Sequence, residues 1–249
     1  MKRVLLSIVA TCSLLNAGGY KVPEQSADSL GLAASNVAFS FGADAAYFNP
    51  ANMMFLDGLH HFESTLGWFH INSIDFKSDG GKSYSSEKFE SLAGTFSFVT
   101  PEIYENWRFG LALAVPAAVG ISWEYPETAF TGKRFKLQVV ELNPTVAYRI
   151  NDKLAIALGA RGVYSKGKIA SDFGRFGYRE IQGDGINYGY NVALTYRPTE
   201  ELSFAVTYRS KVNLELKGSA DADFNAPLAD ISYHGKTRVE IPLPAQLVL

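Results

Sequence analysis

From Leu59 onward, apolar and polar side chains alternate with a period of two, over runs that are long for a soluble protein. An average soluble strand has about five or six residues, whereas a tilted strand needs about nine to eleven to cross an outer membrane. The clearest run is Leu202 to Lys217. As one strand it lines up Leu202, Phe204, Val206, Tyr208, Val212, Leu214 and Leu216 on one face, and Ser203, Ala205, Thr207, Arg209, Lys211, Asn213, Glu215 and Lys217 on the other. The run before it sets Ile186, Tyr188, Tyr190, Val192, Leu194 and Tyr196 against Asn187, Gly189, Asn191, Ala193, Thr195 and Arg197. Leu154 to Tyr164 repeats the pattern. Asn151-Asp152 and Pro198 to Glu200 are short turns between these runs. A single strand of this kind also suits a soluble sandwich with one wet face. Three in succession with short turns predict an all-β chain, a transmembrane antiparallel β-barrel with one face toward lipid and one toward a polar interior.

Earlier runs are less regular. Phe62 to Ile74 and Phe89 to Thr100 have mixed phase, and Phe135 to Tyr148 changes phase near Val140, slips that bulges would explain. Asp79 to Lys82, Tyr125 to Lys133 and Ala170 to Gly183 read as longer polar or Gly-rich loops, against the short turn at Glu105-Asn106. Long loops at one end and short turns at the other is the outer-membrane pattern. Trp107 to Trp123 places Trp107, Phe109, Leu111, Leu113, Val115, Val119, Ile121 and Trp123 outward. Its inner face is small: Gly110, Ala112, Ala114, Pro116, Ala118, Gly120 and Ser122. The tryptophans suit membrane interfaces, and Pro116 and Gly120 mark an irregularity in the ladder.

The stretch Gly18 to Asp57 lacks sustained alternation and is rich in small residues, as a plug inside a barrel would be. A short helix over Ser29 to Ser35 is predicted. Asn49-Pro50 is a turn signal, and Ala51 permits a close approach. Residues 1–17 have a basic start at Lys2-Arg3, an apolar middle and Ala17 at a cleavage position, the form of a secretory leader. Three units follow: 1–17 signal peptide, 18–57 hatch, 58–249 partial barrel.

Composition narrows the function. A net charge of -2 over 249 residues gives no basic field for nucleic acid. Cys12, the one cysteine, lies in the leader, so the mature chain has neither a disulfide nor a thiolate site. His60 and His61 are adjacent and, in a strand, point to opposite faces. No Gly-x-Ser-x-Gly elbow occurs, and Gly81-Lys82-Ser83 lacks the first glycine of a nucleotide-binding loop, since Phe76 stands there. Neither an enzyme nor a cofactor is expected.

The series Glu24-Gln25-Ser26, Leu30 to Ala33, Asp44 to Ala46 and Asn49-Pro50-Ala51, directly after a leader, resembles the hatch of the FadL family of outer-membrane long-chain fatty acid transporters, which includes TodX-type hydrocarbon channels. Leu142 to Ile169, Tyr188 to Gly218 and Ile241 to Pro244 resemble its consecutive strands. The resemblance implies a fourteen-stranded barrel of which the first seven to eight strands are present, a Gram-negative outer-membrane location, and a protein that is monomeric when complete. It implies passive uptake of long-chain fatty acids or related hydrophobic compounds, with outer-membrane lipid as the other partner. Tyr20 matches the aromatic residue that enters the ligand pocket, Glu24 an acidic hatch position, and Gly120 the kink of a lateral exit that Pro116 also marks. A basic residue that meets the ligand carboxylate in the family aligns near Ser171; Lys166, Lys168, Arg175 or Arg179 would have to supply that charge. An uncharged aromatic hydrocarbon would not need it. The alternative from another class is a surface adhesin or structural barrel with binding loops; a porin for polar solutes fits poorly with the small inward face around Ala112 and Ala114.

Overall fold

The computed structural model describes residues 20–78, 80–124, 132–225 and 230–249. The leader and most of the connection 125–133 lie outside them. Among the described residues the strands are β1 (His61–Ile71), β2 (Asp75–Lys77), β3 (Ser83–Ser85), β4 (Phe89–Val99), β5 (Trp107–Ser122), β6 (Arg134–Asn151), β7 (Leu154–Asp172), β8 (Gly177–Tyr196), β9 (Phe204–Arg209), β10 (Val212–Asn225), β11 (Asp230–Leu243) and β12 (Gln246–Val248). The order β1-β4-β5-β6-β7-β8-β10-β11 forms one antiparallel wall, with β9 beside β8 and β12 beside β9. β9 with β10, and β12 with β11, each occupy one place in it, so the wall has eight positions. β2 and β3 form a separate hairpin. Among the described residues no helix is long and apolar enough to cross a membrane.

The bulges expected in the early strands are absent: His61–Ile71 pairs with Phe89–Val99 residue for residue. β6 does not change phase either. Leu137, Val139, Glu141, Asn143, Thr145 and Ala147 are all buried on one face without interruption. What changes near Val140 is the chemistry of each face. The interior goes from Leu137 and Val139 to Glu141 and Asn143, while the exterior goes from Lys136 and Gln138 to Val140 and Leu142. The wall therefore has two zones, one apolar inside and polar outside, the other the reverse.

This inversion also corrects the long run 202–217, which is two strands. Seven positions separate Asp184 from Asn191 on β8, but eight separate their partners Arg209 and Lys217, so one residue is extra. Ser210 absorbs it, its N–H donating to Tyr190 O and its hydroxyl accepting from Tyr190 N, both at 2.9 Å, and Arg209 and Ser210 are both buried. Beyond it Val212, Leu214 and Leu216 face the interior instead of lipid. Ala170 to Gly183 is mostly strand as well, with the chain turning at 173–176. Gly183 is there for closeness, since a Cβ on it would meet the Lys217 carbonyl at 2.9 Å, and Gly174 for its positive φ of 59° in the turn.

The hatch begins with α1 (Ala27–Gly31), earlier than the expected Ser29 to Ser35, because Ser26 is its cap: the Ser26 hydroxyl accepts from Ser29 N at 2.9 Å. α2 (Ala45–Phe48) leads into a 3-10 turn over Pro50–Phe55. Asn49, fully buried, accepts from Ala51 N and donates to Val37 O and to Thr195 Oγ1 on β8 at 2.8 Å. Ala45, Ala46, Ala51, Met53 and Met54 pack against the inward alanines 112, 114, 147, 155 and 157. Small residues on both sides let the plug dock without voids.

Candidate functional site

The site forms where the wall is incomplete. β4 and β5 share hydrogen-bond register only between Phe96–Val99 and Leu113–Gly110. Beyond Leu113 the two strands part, and they meet again where Glu87 N donates to Ser122 O at 2.9 Å. The parting coincides with a bulge in β5 between Ala114 and Ala117, at Pro116, which has no N–H to give.

The start of the hatch takes the place of the missing strand. Val22 N donates to Pro116 O at 3.1 Å and Ala118 N to Tyr20 O at 2.9 Å. The Gln25 carboxamide completes this, with Nε2 donating to Val115 O at 3.1 Å and Oε1 accepting from Val115 N at 2.7 Å. Backbone groups that would otherwise be unpaired at the parted strands are thus satisfied by the hatch segment. A cavity of about 710 Å3 lies here, lined by Val22, Glu24 and Leu30 of the hatch and by Leu113, Val140 and Tyr164 of the wall.

Inside the wall, Tyr20 packs against a cluster of Ala117, Leu137, Val139, Val163, Val212 and Leu214, and its hydroxyl donates to Pro242 O. Beneath this lies a buried ion network. Glu141 accepts from Arg161 Nε at 3.1 Å and Nη2 at 2.8 Å, and from Arg209. Arg209 also donates to Tyr47 O at 2.9 Å and covers the Tyr47 ring at 4.3 Å, tying wall to hatch. Arg161 donates to Ser210 O at 2.6 Å. Burial, then Arg161 and Arg209, lower the Lys21 amine to about 8.

The expected site residues divide between these places. Tyr20 is in the apolar cluster, Glu24 on the wall cavity, and Pro116 at the bulge. After the bulge the phase of β5 reverses, so Val119 faces the interior and Gly120 the exterior, opposite to expectation; the Phe89 ring fills the space a Gly120 side chain would take. Asn49, Pro50 and Ala51 anchor the hatch. Lys166 and Lys168 belong to the exterior, Lys168 paired with Glu180 at 2.7 Å. Arg175 is in the 173–176 turn, over the Phe176 ring. Arg179 lies directly across from Ser171 and donates to its hydroxyl at 3.1 Å, so a guanidinium stands at the position where the resemblance lacked a cation. Sequence reasoning missed Gln25, Glu141 and Arg209. An acid, Glu141, amid the uncharged inward residues Phe135 to Ala147 of β6 is the signal that could have found the second.

The family model for outer membrane protein transport proteins, OMPP1/FadL/TodX, matches residues 7–249. The chain belongs to this family. It is 25% identical over 251 residues to the long-chain fatty acid transport protein of Escherichia coli strain K12, covering 84% of this chain and 55% of that protein. It therefore spans about half the length of the curated relatives it matches. Its fold is similar to that of a Pseudomonas aeruginosa FadL homologue (TM-score 0.71, 17% identity, 92% of this chain and 64% of that one) and of the Ralstonia pickettii toluene transporter TbuX (TM-score 0.69, 20% identity, 86% and 64%). The family is one of outer-membrane transport proteins and not of enzymes, and the location is the Gram-negative outer membrane.

Proposed function

We propose that the protein is a channel for passive uptake of long-chain fatty acids, in which the hatch segment Tyr20–Gln25 shifts and the ligand leaves sideways into the bilayer between β4 and β5. The observation that carries this reading is the cavity at the parted strands, lined by hatch residues together with outward-facing residues of the wall. A long tail gains about 0.8 kcal/mol for each CH2 removed from water, so uptake from water into lipid runs downhill, and a route by way of the apolar cluster around Tyr20 keeps that gain by not returning the tail to water. Arg179 beside Ser171 supports a ligand with a carboxylate. The toluene transporter named above supports a second ligand class, a neutral monoaromatic.

The test uses the full-length protein in detergent and in liposomes, titrated separately with palmitate and with toluene. Saturable palmitate binding that weakens in Tyr20→Ala, with uptake but not binding slowed in Ala118→Trp at the wall cavity, is the expected result. Toluene binding alone would move the ligand to the hydrocarbon class. Binding of neither, or unimpaired uptake through Ala118→Trp, would overturn the ligand reading or the lateral route, respectively.

A further inference from the structure

The exterior of the wall carries a boundary that strand register makes explicit. Val140, Tyr164 and Ile186 are cross-strand neighbours on β6, β7 and β8, and all three are exposed and apolar. Two residues further toward the long-loop end, the neighbours are Gln138, Lys166 and Asp184; two further again, Lys136, Lys168 and Gln182. Within this step of two residues the outer face passes from lipid-compatible to charged. The short turns at Tyr104–Asn106 and Asn151–Lys153 lie at the opposite end, which makes the charged rows the outer-leaflet side.

The charged rows surround a concavity of about 550 Å3 on this outer face, bordered by Lys88, Arg134, Lys136, Lys166 and Lys168, with Glu87 and Glu90 as its acidic residues. The border itself has five cations and two anions, and Asp184 and Glu180 on β8 stand beside Lys166 and Lys168, which leaves a net charge of one positive. Lys168 is partly offset by Glu180, and Arg134 donates to Ser122 Oγ at 3.2 Å. Among the described residues Lys136 and Lys166 have no hydrogen-bond or ion-pair partner. Lysines with free ammonium groups, directly above an apolar band, match an amphiphile with an anionic head and acyl chains.

We propose that Lys136, Lys166 and Lys168 form a site for the phosphate groups of a phosphorylated glycolipid of the outer leaflet, whose acyl chains lie on Val140, Leu142, Tyr164 and Ile186. The occupant is lipid and not free phosphate, because the same strands that present the lysines present the apolar band one step below them. Lys166 also borders the wall cavity, so a bound lipid stands beside it.

The experiment compares the full-length protein with the variant Lys136→Gln/Lys166→Gln/Lys168→Gln and the matching triple arginine variant in neutral detergent. Each is titrated with bisphosphorylated lipid A, with dephosphorylated lipid A and with inorganic phosphate, and bound lipid is read by native mass spectrometry. At about fivefold for each lysine near a charged membrane surface, the glutamine variant should bind bisphosphorylated lipid A about two orders of magnitude more weakly, and the arginine variant as wild type. Equal lipid A binding by the glutamine variant, or equal binding of the dephosphorylated lipid, overturns the site. Inorganic phosphate held as tightly as the lipid overturns the lipid as occupant. Folding is followed by the heat-dependent shift in gel mobility; if the triple glutamine variant loses it, Lys136→Gln and Lys166→Gln singly carry the same comparison.

Discussion

Gln25 and Val115 are paired as two strand residues would be, but one partner is a side chain: the Gln25 carboxamide gives and takes a hydrogen bond with the Val115 backbone at 3.1 and 2.7 Å. Only a carboxamide presents a donor and an acceptor in this arrangement, and Gln25 is itself held by its backbone N–H to Ser29 Oγ at 2.9 Å. Gln25→Ala leaves both Val115 groups unpaired at the parted strands, at about 1–3 kcal/mol for each buried group. We expect faster passage of an apolar dye into liposomes in the absence of ligand and a lower midpoint of heat-dependent gel mobility. Gln25→Glu should be worse than Gln25→Ala at neutral pH, since a carboxylate cannot donate to Val115 O. A leak unchanged from wild type in both variants would remove Gln25 from the closure.

The Glu141 network predicts an asymmetric response. Glu141 is fully buried between Arg161 and Arg209, and its removal strands two guanidinium groups. Breaking a buried pair from one side costs about 3–5 kcal/mol, so Glu141→Gln should lower the urea midpoint strongly. Because Arg209 also holds Tyr47 O, the hatch should become sensitive to limited proteolysis before the wall unfolds. Arg161→Met combined with Glu141→Leu should recover part of the lost stability, because fewer charges then remain unpaired. If Glu141→Gln unfolds at the wild-type midpoint, the network has no structural weight.

Much of this architecture was legible in the sequence. Strand length and period-two alternation identified the wall, and Asn49-Pro50 marked the turn where the 3-10 segment begins. What escaped was phase. Lipid outside and an apolar pocket inside select the same residue types, so Val212, Leu214 and Leu216 read as a continuation of Phe204 and Val206 although one extra residue at Ser210 had turned them inward. The same ambiguity misplaced Val119 and Gly120 after the bulge. Glu141, Arg161 and Arg209 come together only through strand pairing, with no local spacing to announce them.

Gly110 tests hatch docking by bulk alone. A Cβ there would press on Met53 Sδ, Thr145 Oγ1 and the Ala46 methyl, so hatch and wall meet at this glycine. Overpacking a close-packed interface costs about 1–3 kcal/mol, and the hatch is the softer side. Gly110→Val should keep the wall's heat-dependent gel mobility while raising proteolysis within 20–57 and raising channel conductance. Gly31→Val, at a site with nothing within 4 Å, is the control and should leave both unchanged. Equal behaviour of the two variants would show that Gly110 does not set the docking distance.

The hatch should also respond to pH through Asp44. Its Oδ2 accepts from Ser26 Oγ at 2.8 Å and Asn36 Nδ2 at 2.6 Å, while Oδ1 is buried without a hydrogen-bond partner. Burial raises the Asp44 carboxyl above its usual value; the two hydrogen bonds offset part of this, and Asp28 adds to it. A carboxyl with a raised folded-state pKa binds more protons folded than unfolded. Stability is therefore full below the unfolded value of about 3.9 and falls as pH rises through the folded value, above which the penalty is constant. Asp44→Asn preserves acceptance from Ser26 and Asn36 through Oδ1 and removes the charge. It should make hatch docking, measured by proteolysis of 20–57, more resistant at neutral pH than wild type, with the difference vanishing toward pH 4. A wild type and variant that lose resistance in parallel across that range would show that another group sets the hatch's response to pH.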